Sequence, residues 1–324
     1  MLLGFDIGGT KCAAIISKLT TDKEVEITDK TVIPTNLPAL KMIESLFITA
    51  ENLLAKNNLT IDQVEGIGIS CGGPLNSKKG LILSPPNLPG WDNIPIVELT
   101  QKRFKRKVLL QNDANACAVA EWKYGAGRGF NNIIFLTFGT GMGAGLILDG
   151  KLYSGVSDLA GEVGHLRLAD FGPVGFGKSG SFEGFCSGGG IAQLAQIKVR
   201  EKLQMGERVS FCKDLNELPG LTAKLVAEAA FKGDPLAINI YEFCASYLGK
   251  GLSLLIDVLN PEIIIIGSIY GRAQALIEPV MRKVLEKEAI TESYKACHIV
   301  AAGLTENIGD FAAISLALMS KETR

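Results

Sequence analysis

The chain is 324 residues long, 47% hydrophobic and 21% charged, with a formal net charge of −1. That length admits one large domain or two ordinary ones, and the composition buries a core rather than leaving the chain disordered. Near-neutral charge leaves no footprint for nucleic acid, and no apolar run approaches membrane-spanning length, so neither partner is expected.

Two strand-like runs open the chain, at 2–7 and 12–17, joined by Gly8-Gly9-Thr10-Lys11. A third strand covers 25–34, and a helix over 40–56 is apolar at Met42, Ile43, Leu46, Phe47, Leu53 and Leu54. A strand at 66–70 leads into the tight turn Cys71-Gly72-Gly73-Pro74, followed by a rigid Pro-rich loop over 83–91. A helix near 96–104 precedes the apolar run Val108-Leu109-Leu110, which ends in Gln111-Asn112-Asp113 and continues as the helix former Ala114-Asn115-Ala116. This stretch reads as a buried strand delivering Asp113 to its carboxyl end, where ligands bind in open α/β sheets. A carboxylate placed there can take a proton from a bound hydroxyl. On this stretch alone, a simple helix N-cap is an equal reading.

After residue 131 the order partly restarts. A strand at 133–138, the turn Gly139-Thr140-Gly141-Met142-Gly143 and a returning strand at 144–148 repeat the opening strand–turn–strand unit. Such duplication predicts two related halves facing one another across a cleft, each lending a glycine hairpin. Helices follow near 189–204, 221–231 and 235–259, the last stopped by Asn260-Pro261. A buried strand at 262–267, a helix near 273–288, a strand at 298–301 and a helix at 310–319 complete the chain.

Glycine-threonine turns offer backbone N–H groups and a hydroxyl to anionic oxygen, and the missing Cβ lets a phosphate approach. Ordinary tight hairpins remain the alternative. Two formal matches fail on context. Gly139-Thr140-Gly141-Met142-Gly143 is followed by a strand, so it lacks the helix N-terminus of a dinucleotide fingerprint. Gly172 to Ser179 has P-loop spacing, but a glycine-rich stretch follows where a helix must begin. In Gly161-Glu162-Val163-Gly164-His165, a carboxylate and a ring three residues apart can share a polyol, and Glu183 can join them. A purely structural histidine is the other reading of His165. Seven cysteines, at 12, 71, 117, 186, 212, 244 and 297, show no ligand spacing and read as reduced core residues. With no basic leader before Asp6, the expected location is cytoplasmic.

Taken in order and spacing, Asp6-Ile7-Gly8-Gly9-Thr10-Lys11, Asn112 to Ala116, Gly139 to Gly145 and Gly161 to His165 resemble the ROK family of sugar kinases and sugar-responsive repressors. The resemblance implies the actin-like ATPase (ribonuclease H-like) fold, a duplicated α/β architecture of two domains around a cleft. Residues 1–112 would form the smaller domain, completed by the C-terminal helix 310–324, and 113–309 the larger. It implies ATP and Mg2+ as cofactors, a hexose such as glucose or an N-acetylhexosamine as substrate, and a homodimer. Carried over by motif, Asp113 is the catalytic base, while Asn112, Glu162, His165 and Glu183 hold sugar hydroxyls. Asn87, in the loop that shapes sugar choice, joins them. Gly8, Gly9, Thr10, Gly139, Thr140, Gly141 and Gly267 line the nucleotide, Asp6 positions magnesium through water, and Lys11 reaches a phosphate or stays on the hairpin surface.

The chain departs from the family twice. Aligning the family's C-x-C-G-x-x-G-C-x-E zinc pattern on Gly177, Gly180 and Glu183 puts Val174, Phe176 and Ser181 where cysteines belong. One histidine cannot hold zinc, which takes four ligands. A zinc-free loop is therefore expected, held by apolar contacts among Phe171, Phe176, Phe182 and Phe185. Gly267-Ser268 also stands where the family usually has a glycine pair. Two rival readings follow from the family itself. A repressor needs a DNA-reading module before the first glycine turn, where six residues leave no room. A sugar-binding protein without catalysis is the other.

Overall fold

The computed structural model describes residues 1–20 and 24–322; Thr323 and Arg324, the last two residues of the helix expected at 310–324, lie outside the described residues. The elements in chain order are β1 (Leu2–Ile7), β2 (Lys11–Leu19), β3 (Val25–Pro34), α1 (Ala39–Lys56), β4 (Gly66–Cys71), β5 (Leu75–Asn76), β6 (Leu81–Ile82), α2 (Ile96–Phe104), β7 (Val108–Asn112) and α3 (Asp113–Tyr124). There follow β8 (Ile133–Phe138), β9 (Met142–Leu148), β10 (Lys151–Tyr153), β11 (Val174–Gly175), β12 (Lys178–Ser179), α4 (Phe182–Phe185), α5 (Gly188–Gln204), α6 (Ala223–Phe231) and α7 (Pro235–Leu259). The chain closes with β13 (Ile263–Ile266), α8 (Ile269–Glu288), α9 (Thr291–Ala296), β14 (His298–Ala301) and α10 (Ile308–Glu322).

Duplication is written into the sheets. One has the strand order β3-β2-β1-β4-β7 and the other β10-β9-β8-β13-β14. In the first, β1 is antiparallel to β2 and parallel to β4, which is parallel to β7. In the second, β10 is antiparallel to β9, while β13 lies parallel between β8 and β14. Each sheet is thus a three-strand meander extended by two parallel strands, the pattern expected from the repeated glycine hairpins. By contact the chain forms two compact units, 1–131 with 145–160 and 303–324, and 132–144 with 161–302, and the division runs through β9.

In the first unit, α1 lays its apolar stripe on the sheet, and the rings of Phe5, Phe47 and Phe104 meet with centroids 5.1–6.0 Å apart. The other face takes α10, whose Ala313 and Ala317 let its backbone press close. A Cβ on Gly68 of β4 would stand 2.1 Å from the Ala313 carbonyl oxygen, so only glycine permits this approach. In the second unit, the four isoleucines of β13 are fully enclosed, as a strand buried on both faces requires. Helix α7 starts at Pro235 behind an Asp234 cap (Oδ1 to Ala237 N, 2.9 Å) and stops at Asn260, whose φ of 43° precedes Pro261.

The helix expected from 273 begins four residues earlier, with a non-helical Ala273 (φ −120°) joining its two segments. The strands β5, β6, β10, β11 and β12 and the helices α4 and α9 had no counterpart in the sequence reading. At two to six residues they are too short to show periodicity. Among the described residues, no helix is long and apolar enough to cross a membrane.

Candidate active site

In the first unit β7 ends at Asn112, whose Oδ1 accepts the Asn115 N–H at 2.7 Å. Asn112 is therefore the N-cap of α3, and Asp113 is the first helical residue rather than the cap. Beneath it, the Gln111 Oε1 accepts from Asn112 N (3.0 Å) and Asn115 Nδ2 (3.1 Å), an amide platform that fixes the strand–helix junction. The Asp113 carboxylate takes the adjacent Ala114 N–H at 2.9 Å and otherwise stays accessible. Although solvent reaches this side chain, protein surrounds it on most sides. That desolvation raises its pKa above the ordinary carboxylate value, against the pull of the backbone N–H groups.

Asp6, near the end of β1, is more strongly perturbed. Burial first, then the charges of Asp113 and Asp310, raise its pKa to about 6, opposed by Lys30 and Lys11. Asp310 comes from the first turn of α10 and pairs with Lys30 Nζ at 2.5 Å. The β1–β2 turn closes through Gly8 N to Lys11 O (3.0 Å), and Thr35 Oγ1 donates to the Gly8 carbonyl at 2.7 Å. Thr10 and Lys11 are exposed. Asn87 lies directly against this turn: a Cβ on Gly9 would stand 2.2 Å from the Asn87 carbonyl oxygen.

In the second unit, the turn after β8 presents Gly139, Thr140 and Gly141. Its carbonyls are taken by the start of α5, with Gly188 N to Gly139 O at 2.7 Å and Gly189 N to Thr140 O at 3.3 Å. Among the described residues the N–H groups of Thr140 and Gly141 have no protein acceptor. Unpaired backbone amides in a glycine turn suit an anion. Glu183 Oε2 accepts the Met142 N–H at 2.9 Å, so this carboxylate anchors the end of the same turn and keeps one oxygen for a ligand. Glu162 precedes and His165 ends a short 3-10 turn over Val163–His165, and both are exposed. A third glycine expected here, Gly267, directly follows β13 and precedes Ser268, which adopts φ 51° and ψ −104°. That conformation belongs to glycine. Ser268→Gly, which restores the family's glycine pair, is expected to raise stability by about 1 kcal/mol, read as a higher chemical-denaturation midpoint.

The loop over 168–181 corrects one expectation. Phe182 and Phe185 are buried, and Phe185 stacks on Tyr247 at 3.5 Å, but Phe171 and Phe176 are 87% and 72% exposed. Apolar contact therefore holds only the base of the loop. Hydrogen bonds hold the rest. Residues 174–179 form the β11–β12 hairpin, Gly180 N reaches Pro173 O (3.0 Å), and Ser179 Oγ donates to Gly172 O (3.0 Å). Ser181, at one of the family's cysteine positions, caps α4 by accepting Gly184 N at 3.1 Å. Lys178 and Ser179 are strand residues, not the start of a helix, so the P-loop spacing is accidental. Val174, Phe176 and Ser181 offer zinc no thiolate, and the residues do not fit the metal. Among the described residues, no group of three or more His, Cys, Asp or Glu side chains is arranged to hold an ion.

Sequence reasoning missed Asp310 and Lys30, which pair with each other across 280 residues of chain and act on the charge of Asp6. It also missed the Glu183–Met142 bond. Neither leaves a local pattern. A surface depression of about 690 Å³ in the second unit, lined by Phe231, Arg272, Glu278 and Arg282, contains none of the expected site residues.

A doubled meander-plus-parallel sheet, with a glycine turn following the first strand of each half, defines an actin-like ATPase fold. The sequence matches the ROK family over residues 2–320, and the chain belongs to that family. It is 32% identical over 283 residues to the glucokinase of Halalkalibacterium halodurans, covering 86% of this chain and 83% of that protein. It is 31% identical over 258 residues to the xylose repressor of Caldicellulosiruptor bescii, covering 78% of this chain and 63% of the repressor. Among solved structures, a ROK family glucokinase from Streptomyces griseus in complex with glucose and AMPPNP superposes with a TM-score of 0.75 at 28% identity, covering 98% of this chain and 99% of that one.

Proposed function

We propose that this protein is an ATP-dependent sugar kinase that moves the γ-phosphoryl group of ATP to the C6 hydroxyl of a hexose, glucose first, or of an N-acetylhexosamine. The observation that carries this reading is Asp113: a carboxylate at a strand end, released from capping by Asn112 and left accessible. A group spent on a cap would be a poor base.

In this reading Glu162, His165, Asn87, the Asn112 Nδ2 and the second oxygen of Glu183 hold the sugar's hydroxyls. Asp113 accepts the proton of the attacking hydroxyl as its oxygen bonds the γ-phosphorus in line; the bond to the bridging oxygen breaks and ADP leaves. The free amides of Thr140 and Gly141, with Gly139, Gly8, Gly9 and Thr10, receive phosphate oxygens. Lys11 and Gly267 border the nucleotide. Much of the rate comes from holding the hydroxyl in line, because a loosely held alcohol competes with water.

Magnesium fits the residues present. Asp6 sits among Asp113 and Asp310 with its charge only partly answered by Lys30 and Lys11, so a hydrated cation nearby is favoured. Bound with ATP, it would neutralise phosphate charge while Asp6 holds it through water. Zinc has no place in the reading, nor has nucleic acid or a membrane; a cytoplasmic homodimer is its assembly.

A second reading, sugar binding without catalysis, draws on the missing zinc ligands and on the likeness to a xylose repressor. One experiment separates the two. Protein stripped with EDTA and resupplied with magnesium alone is assayed for ADP release against hexoses and N-acetylhexosamines. Sugar-dependent turnover is expected; binding of a sugar without turnover would replace the kinase reading with the sensor.

A further inference from the structure

The family's metal knuckle is replaced here by a side chain that behaves as a strand. Gln193, on α5, lies beside β11 and makes both bonds a neighbouring backbone would make. Its Oε1 accepts the Val174 N–H at 2.9 Å, and its Nε2 donates to the Val174 carbonyl at 2.8 Å. Val174 occupies one of the family's cysteine positions. The same hairpin reaches His165 twice: Lys178 Nζ donates to the His165 carbonyl at 2.7 Å, and the Phe176 ring meets the imidazole edge-on at 6.3 Å between centroids and 73° between planes. A five-residue span from Val174 to Lys178 has too little buried apolar surface to hold itself, since Val174 and Phe176 are 47% and 72% exposed. Beyond the bonds at the base of the loop, the amide pair at Val174 is what ties this hairpin to α5.

We propose that Gln193 is a positioning residue for the sugar site: it clamps the β11–β12 hairpin, and through Phe176 and Lys178 the hairpin orients His165, the task a bound metal performs by ligating a histidine directly. This inference rests on the kinase reading, because it gives His165 a sugar hydroxyl to meet. Rotamer freedom at His165 costs binding but not chemistry, since the proton leaves the sugar through Asp113. Loss of the clamp therefore belongs in KM rather than kcat.

The test uses the full chain with Gln193→Ala and Gln193→Glu. The carboxylate of Gln193→Glu can still accept the Val174 N–H but cannot donate to the Val174 carbonyl. Expected for Gln193→Ala are faster backbone hydrogen exchange confined to residues 168–181, a rise of about tenfold in KM for the sugar, and kcat and the KM for ATP within about twofold of the parent. Gln193→Glu should lie between the parent and Gln193→Ala in both exchange and KM. Phe176→Ala should raise KM for the sugar without loosening the Val174 amide. Unchanged exchange over 168–181, or loosened exchange with unchanged KM in an active protein, overturns the clamp alone. A parent that turns over no sugar overturns the kinase reading and the inference with it, so the two failures are told apart before any variant is made.

Discussion

Asp113→Asn is expected to lower kcat by about 10²–10⁴-fold while leaving the KM for sugar and nucleotide within a few-fold, as loss of a general base does. The substitution is nearly isosteric, and the Asn Oδ1 can still accept the Ala114 N–H, so α3 keeps its first turn. The helix keeps its cap as well, because Asn112 provides it. Removing a desolvated charge costs the fold nothing and can only stabilise it. A folded variant whose melting temperature at neutral pH is at or above the parent's, with collapsed turnover, is thus the signature. The pH profile adds a second check. A base works only when ionised, and the raised pKa of Asp113 moves the acid limb of kcat upward from the ordinary carboxylate range; in the variant that limb disappears. If kcat stayed within tenfold of the parent across that range, Asp113 would hold structure and no proton.

Why Asp113 was legible in the sequence, and other groups were not, has a physical answer. A buried strand reads as an apolar run, a strand-to-helix junction as amide and carboxylate residues before helix formers, and both signals are local. The repeated glycine turns were legible for the same reason and pointed to two related halves, whereas β10, the short edge strand of the second sheet, left no signal. Local signals could not separate base from cap at Asp113; the Asn112–Asn115 bond gives the cap to Asn112 and leaves the base role to the proposal. The hairpin at 174–179 was misjudged because composition shows aromatics without showing which way they face. Phe182 and Phe185 turn inward on α4, while Phe171 and Phe176 turn out. Hydrogen bonds within that loop, and the pair Gln193 makes with Val174, hold it, and none of these leaves a motif. Long-range electrostatics were invisible for a related reason: Asp310 opens a largely buried, mostly apolar helix, and only folding brings its charge to Lys30 of β3. The roles of Glu162, His165 and Asn87 toward a sugar stay with the proposal, since their placement is observed and their ligand is not.

Asp6→Asn is expected to make the ligand-free protein more stable at neutral pH and to leave it unable to gain from magnesium and ATP. The sign follows from linkage. With its pKa raised from 3.8 to about 6, the folded state holds this proton more tightly than the unfolded chain. Stability from this group is therefore fully present below about pH 4 and is lost as pH rises through 6. A shift of about two units corresponds to roughly 3 kcal/mol, an upper figure that relaxation and water will reduce. Asparagine cannot ionise, so the variant lacks this loss. Its melting temperature should match the parent's near pH 4 and exceed it by several degrees at pH 7–8, with the gap opening between pH 4 and 6. Adding magnesium and ATP at pH 7.5 should then raise the parent's melting temperature and leave the variant's almost unmoved, since a ligand at free concentration c that binds only the folded state stabilises it by RT ln(1 + c/Kd), which shrinks as Kd rises. A gap independent of pH would mean that Asp6 carries no strained charge, and an equal ligand response in both proteins would remove it from the cation's surroundings. A gap that opens between pH 4 and 6, together with a ligand response lost in the variant, would describe a carboxylate kept at a cost to the empty protein because the loaded one needs it.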